Sequence, residues 1–472
     1  MAKSKTRIEK DSMGEMTVPA SALYGASTQR AVLNFPISGQ GVPNEVIHAF
    51  GLLKAASAQV NKALKTIPPR KANLIDKAAM EVAAGKLDEH FPVDVFQTGS
   101  GTSTNMNVNE VIANRCSQLA GQPVGSRKPV HPNDDVNYGQ SSNDTFPTAM
   151  YIAFVVSMKN DLRPALVSLQ RSLAAKARKW DKVVKIGRTH LQDATPIRLG
   201  QEFSGYAAQV AYAVDRVDRA ITMCNELSIG GTAVGTGLNT HPQFARRVCT
   251  ALNKMTGCRF REASNHFESQ AAKDAAVEAS GELKTIAVSL SKIANDIRWL
   301  ASGPRCGIGE LILPAIQPGS SIMPGKVNPV ICESVIQVAA QVIGNDAAAT
   351  YGGFGGVGSL IELNVGMPMM ARNLIESITL LANVSDAFRA FAIEGLDVDR
   401  KRCAALIEQS LAMCTSLAPV IGYDSAAAIA KQAFAEGRTV RQVALDLGVL
   451  DAKKLDELLD PFSMTEPGTK SA

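Results

Sequence analysis

The segment Gln317-Pro-Gly-Ser-Ser-Ile-Met-Pro-Gly-Lys-Val-Asn-Pro329 is the richest in the chain for groups that do chemistry. Ser320 and Ser321 offer hydroxyls, Lys326 a cation, and Asn328 both a donor and an acceptor. Gly319 and Gly325 permit close backbone approach, and Pro329 is placed to open a helix whose free N–H groups favour anions. Such a set suits a small anionic molecule. The plain alternative is a turn that only caps the next helix, but a cap needs one Ser or Asn and leaves the rest without a purpose.

His190 sits in Gly187-Arg-Thr-His-Leu-Gln-Asp-Ala194. A solitary histidine is ordinarily a satisfied structural residue. Glu333, four residues into the helix after Pro329, has the charge to orient an imidazole, although sequence spacing does not establish that contact. Thr98-Gly-Ser-Gly-Thr102 and Gln140-Ser-Ser-Asn-Asp-Thr145 are polar loops between apolar runs. Their hydroxyls, amides and backbone N–H groups suit carboxylates held through neutral donors. Ordinary turn chemistry accounts equally well for either loop alone. His131-Pro132-Asn133-Asp134 reads either as a binding surface or as an Asx-type turn.

Two lookalikes carry no such chemistry. Gly353-Phe-Gly-Gly-Val-Gly358 fits the letters of a dinucleotide fingerprint, but no strand precedes it and no βαβ unit surrounds it. Gly319–Lys326 resembles a phosphate-binding loop but has five residues between its glycines, and Val327 stands where Ser or Thr is required. Nucleotide binding is therefore not implied. The eight cysteines (116, 224, 249, 258, 306, 332, 403, 414) form no C-x-x-C pair, and the six histidines form no H-E-x-x-H motif, so no metal site is expected. With 49 basic and 44 acidic side chains in 472 residues, the net charge of +5 offers no nucleic-acid surface. The charged start, Met1–Asp11, lacks an apolar signal region, and no apolar run reaches membrane-spanning length. A reduced, cytoplasmic chain without membrane or nucleic-acid partners is the expectation.

The elements that must present these loops read as helices. In 200–228, Phe203, Tyr206, Val210, Val214, Val217 and Ile221 follow steps of three and four, as do Ile286, Leu290, Ile293, Ile297 and Leu300 in 273–300. A helix over 273–300 would run about 42 Å, too long to bury its stripe without long partners. Further helices are expected at 150–179, 330–350 and 368–394, with a kink or restart at Pro164 and Pro368. Strand-like runs are few, Val183-Val-Lys-Ile186 among them. The pattern predicts an all-α bundle with polar loops at 97–109, 131–144, 229–239 and 317–329. The chain after about Leu396 reads as short helices ending in a frayed Pro/Gly/Ser-rich terminus.

Taken together, these loops resemble the fumarase/aspartase superfamily, and more closely the class II fumarases. The superfamily signature G-S-S-x-M-P-x-K-x-N-P is matched without a gap by Gly319–Pro329. Phe96-Gln-Thr-Gly-Ser-Gly-Thr102, Ser141-Ser-Asn-Asp144, Asn265-His-Phe-Glu268 and Ile293-Ala-Asn-Asp-Ile-Arg-Trp299 look like fumarase rather than aspartase. Similarity extends from Arg7 to about Leu459. Two departures are visible: Gly139 stands where the family commonly has Ser, and Gly352–Ser359 looks longer than usual.

The resemblance implies a three-domain fold (1–140, 141–396 and 397–472), whose central long helices form a multi-helix core in a homotetramer. Each active site would draw on three subunits. It implies a hydro-lyase that interconverts fumarate and (S)-malate through an aci-carboxylate, without a cofactor or metal. Ser320 would be the base that removes the C3 proton of malate, and His190 with Glu333 would handle the water. Lys326 and Asn328 would stabilise the charge that develops. Ser100, Gly101, Thr102, Ser141, Ser142, Asn143, Thr189, Ser321, Lys326, Val327 and Asn328 would hold the two carboxylates. His131, Pro132, Asn133 and Asp134 resemble the family's second, non-catalytic dicarboxylate site. An aspartate ammonia-lyase and a non-enzymatic helical assembly protein of the same fold are the competing readings.

Overall fold

The computed structural model describes residues 6–468. Met1–Lys5, part of the charged N-terminal stretch, and the last four residues of the Pro/Gly/Ser-rich terminus lie outside the described residues. In chain order, an antiparallel hairpin of β1 (Thr6–Asp11) and β2 (Gly14–Pro19) precedes five helices. These are α1 (Ala26–Asn34), α2 (Asn44–Ala63), α3 (Pro69–Ala83), α4 (Thr102–Leu119) and α5 (Ser142–Ser157). After α6 (Arg163–Lys179) comes a second hairpin, β3 (Val184–Thr189) and β4 (Gln192–Arg198). Then follow α7 (Leu199–Met223), α8 (Phe244–Thr256), α9 (His266–Ala271), α10 (Asp274–Leu300), α11 (Val330–Gly353) and α12 (Met367–Phe388). The rest is short helices between Arg400 and Leu458. Sheets among the described residues are all two-stranded.

The long helices form where the three-and-four rhythm predicts. Ile286, Leu290, Ile293 and Ile297 of α10 are buried, as are Phe203, Tyr206, Val210 and Val217 of α7. The reading of 200–228 overshoots: α7 ends at Met223, because Glu226–Leu227 pairs with Arg261–Glu262. Near Pro164 the expected restart occurs, as a wide turn over Met158–Leu162 between α5 and α6. Pro368 falls at the second residue of α12, where its missing N–H costs nothing.

The chain divides into two compact units. The first comprises residues 1–164, 215–287 and 338–383. Within it α2 packs against α3, α5 and α8, and α4 against α1, α3 and α5. Phe50 of α2 meets Phe146 of α5 edge to face, with ring centroids 5.8 Å apart. Arg219 and Glu282 link α7 to α10, and Ser280 and Lys284 of α10 hold Asp346 of α11. The second unit comprises 165–214, 288–337 and 384–472. It contains the β3–β4 hairpin, Trp180 packed edge-on to Phe203 at 4.8 Å, and a C-terminal core of Ile407, Leu417, Ile429, Val443, Leu455 and Leu458. Among the described residues, no helix is long and apolar enough to cross a membrane.

Candidate active site

In the first unit, two helix N-termini carry the predicted carboxylate-holding groups. Gly101 caps α4 at φ +73°, and a Cβ there would lie 2.0 Å from Phe146 Cδ2. Only glycine fits this turn. It sets Ser100 and Thr102 on the same side: their hydroxyls are 2.9 Å apart, and Thr102 Oγ1 lies 2.8 Å from Ser142 Oγ at the start of α5. Ser141 caps α5 in a reciprocal box with Asp144, accepting from the Asn143 N–H while its own N–H donates to Asp144 Oδ1. Asn143 Nδ2 donates to Ala233 O at 2.7 Å. A chain of three hydroxyls thus links the starts of two helices, where free N–H groups favour anions.

The loop at 229–239 is tied in from the other side. The buried Asp144 accepts backbone N–H bonds from Gly230 and Thr232, both at 3.0 Å. Three of the four polar loops read from the sequence therefore meet in this unit. Sequence reading missed Lys54, whose Nζ donates to Asn137 Oδ1 at 2.9 Å and Gln140 Oε1 at 3.0 Å. The available signal was a lysine in the otherwise apolar run Phe50-Gly-Leu-Leu-Lys-Ala-Ala-Ser57.

The His131–Asp134 segment lies in a wide turn in the same unit. His131 Nδ1 accepts the Asp134 N–H at 3.2 Å, and the His131 N–H donates to Asp135 Oδ2 at 2.8 Å. His131, Pro132 and Asn133 line a cavity of about 110 Å³ with Arg127 on its wall. The acids there are engaged, Asp11 by Arg30 and Glu110 by the Gly25, Ser27 and Thr28 N–H groups.

In the second unit, His190 stands exposed at the tip of the β3–β4 hairpin. Thr189 pairs with Gln192, so His190 and Leu191 form a two-residue turn, at φ +58° and +60°. Such turns are normally Asn-Gly, and placing His and Leu in them costs about 1–3 kcal/mol each. The hairpin is anchored by Arg188, which grips the fully buried Glu310 with two bonds of 2.9 and 3.1 Å, with Lys185 Nζ 3.3 Å from the same carboxylate. Glu310→Gln leaves two cations facing a neutral amide. It is expected to destabilise the protein by about 3–5 kcal/mol, read as a lower thermal midpoint by circular dichroism.

The 317–329 loop closes on itself. The Gly319 N–H donates to Lys326 O at 2.9 Å and Asn328 Nδ2 to Gly319 O at 2.7 Å, and a Cβ on Gly319 would lie 2.4 Å from Lys326 O. Ser320 Oγ accepts the N–H groups of Ile322 and Met323 at 3.2 and 3.0 Å. Ser321, Lys326 and Val327 are exposed, and Glu333 lies in the first turn of α11. Within one chain, no hydrogen bond or ion pair among those of the described residues joins His190 to Glu333. The predicted residues thus divide between the two units, Ser100–Thr102, His131–Asp134 and Ser141–Asn143 in the first and Thr189, His190, Ser320–Asn328 and Glu333 in the second. The described residues contain no group of three or more His, Cys, Asp and Glu placed to hold a metal ion.

A family model described as Lyase matches residues 14–344, and one described as Fumarase C C-terminus matches 413–466. Fumarate hydratase class II of Mycobacterium tuberculosis is 55% identical over 465 residues, covering 98% of this chain and 96% of its own. The mitochondrial fumarate hydratase of Rattus norvegicus is 52% identical over 463 residues, covering 98% and 90%. Among solved structures, a class II fumarase from Schistosoma mansoni superposes with a TM-score of 0.94 at 38% identity, covering 98% of this chain and 99% of that one. The chain belongs to the class II fumarate hydratase family of these lyases.

Proposed function

We propose that the chain catalyses the reversible hydration of fumarate to (S)-malate, as a cytoplasmic homotetramer. The observation that carries this reading is the Ser100–Thr102–Ser142 hydroxyl chain across two helix N-termini, in a chain that also keeps the whole Gly319–Pro329 loop. In the malate-to-fumarate direction Ser320, as the alkoxide left once its own hydroxyl proton has passed to solvent, takes the C3 proton, and the C3–H electron pair moves into the adjacent carboxylate as an aci-carboxylate. Lys326, Asn328 and the helix N-termini stabilise that added charge, which is the step where binding energy lowers the barrier. His190, oriented by Glu333, then delivers a proton to the departing C2 hydroxyl. Thr189, Ser321 and Val327 join the unit-one donors in fixing the carboxylates, and His131–Asp134 forms a second dicarboxylate site.

Exposed apolar side chains on the long helices support assembly: Tyr212 on α7, Val288 and Trp299 on α10, and Ile343 on α11 are each 45–61% exposed. In the assembled protein each site draws its loops from three chains, and His190 meets Glu333 there. The purified protein is expected to convert malate to fumarate, followed by the ultraviolet absorbance of the double bond, with activity retained in chelator. Ammonia release from aspartate with no malate turnover would overturn the reading.

A further inference from the structure

Lys54 lies mid-way along α2 with its side chain wholly buried, between Leu53 and Ala55. Both acceptors of its Nζ, Asn137 Oδ1 and Gln140 Oε1, are neutral, and both sit on the turn that leads into Ser141–Asn143. Asn137 also accepts from Asn105 Nδ2 of α4 at 3.2 Å and donates to Gln140 O at 3.0 Å. The turn is therefore closed on itself and pinned to α2 and α4. Its far end is pinned by Asp144, also fully buried, through the N–H groups of Ser141, Gly230 and Thr232. Burial pulls the Lys54 ammonium well below its ordinary range and pushes the Asp144 carboxyl above its own, while each charge favours the other. An apolar side chain at position 54 would avoid that desolvation.

We infer that Lys54, with Asp144, is a positioning residue: it fixes the Asn137–Gln140 turn so that Ser141, Ser142 and Asn143 stand at a set separation from Ser100 and Thr102. The inference rests on the reading that these groups hold a substrate carboxylate. It explains why the buried face of α2 keeps an amine, since a misplacement of about 1 Å at such a site can cost about 10²-fold.

The test compares Lys54→Met, which keeps the side chain's bulk but removes donor and charge, with Asn137→Ala, which removes one acceptor from the partly exposed turn. A Leu458→Ala variant in the C-terminal core serves as a control for lost stability alone. Both loop variants are expected to raise KM for malate and weaken competitive inhibition by succinate about 10- to 100-fold, the loss expected for a charge-assisted hydrogen bond. Their kcat should change less. Amide deuterium exchange over 137–145 should quicken in both, with exchange in α3 unchanged. Leu458→Ala should lower the thermal midpoint and leave KM and that exchange alone. If Lys54→Met does not fold, Asn137→Ala carries the same comparison. Folded loop variants with wild-type KM, succinate affinity and 137–145 exchange would overturn the inference. Faster exchange in a protein that does not turn over malate would sustain the positioning role and remove the hydratase reading instead.

Discussion

Replacing His190 by Asn is expected to lower kcat by about 10²–10⁴-fold while leaving succinate binding within a few-fold of wild type, the signature of a lost acid–base group. Within one chain the imidazole is exposed at the hairpin tip, so its loss removes no packing from the subunit's own fold. Asn also tolerates the left-handed conformation that His190 adopts at φ +58°, so the hairpin should keep its thermal midpoint or gain slightly. Activity and stability are thus expected to move independently. Steady-state kinetics with a parallel thermal melt checks this. Unchanged kcat would leave His190 as a turn residue, and a collapse of the melt would mean that the side chain supports the fold.

The second large effect joins assembly to chemistry. Ser320→Ala and His190→Asn each disable a different loop, and each variant refolded alone should be nearly inactive. In a site built from three chains, the Ser320 and His190 loops need not come from one subunit. Mixing the two variants through reversible denaturation should then give hybrid tetramers in which some sites contain both intact loops. Activity should rise well above that of either parent. A charge tag on one parent, resolved by ion exchange, shows that hybrids have formed. Hybrids formed in good yield that stay as inactive as their parents would contradict the shared site, and would leave the fold and the reaction untouched.

What could be read from the chain and what could not divide along physical lines. The long helices were legible because each buries a stripe, and a stripe leaves a three-and-four rhythm in the residues. The Gly319–Pro329 loop was legible because its chemistry is concentrated in one short segment. The β3–β4 hairpin was half visible. Val183–Ile186 looks like a strand, but Gln192-Asp-Ala-Thr-Pro-Ile-Arg198, with Pro196 and several polar residues, does not, and it pairs only because β3 supplies the register across a bulge. The β1–β2 hairpin alternates between exposed and half-buried residues, with Val18 alone buried, so little apolar period marks it. Lys54 stood out only as a lysine in an apolar run, and its partners were hidden for a different reason. Its acceptors lie 83 and 86 residues away, and no local pattern encodes a contact of that range. A lysine in a helix ordinarily reads as a side chain reaching for solvent. The strained His190–Leu191 turn was likewise hidden, since the two residues carry none of the Asn-Gly signal that such turns usually show.

The clasp between Gly319, Lys326 and Asn328 bears on the thermodynamics of binding. A loop whose ends are already joined has surrendered most of its chain entropy before any ligand arrives. In the proposed role, settling it over a dicarboxylate would resemble seating a preformed ring more than threading a loose chain, with little of the interaction energy diverted into ordering it. The energy so conserved remains for the step in which charge develops. A residue that opens the ring at position 319 would therefore act on the free protein, by lengthening the list of conformations from which binding must select.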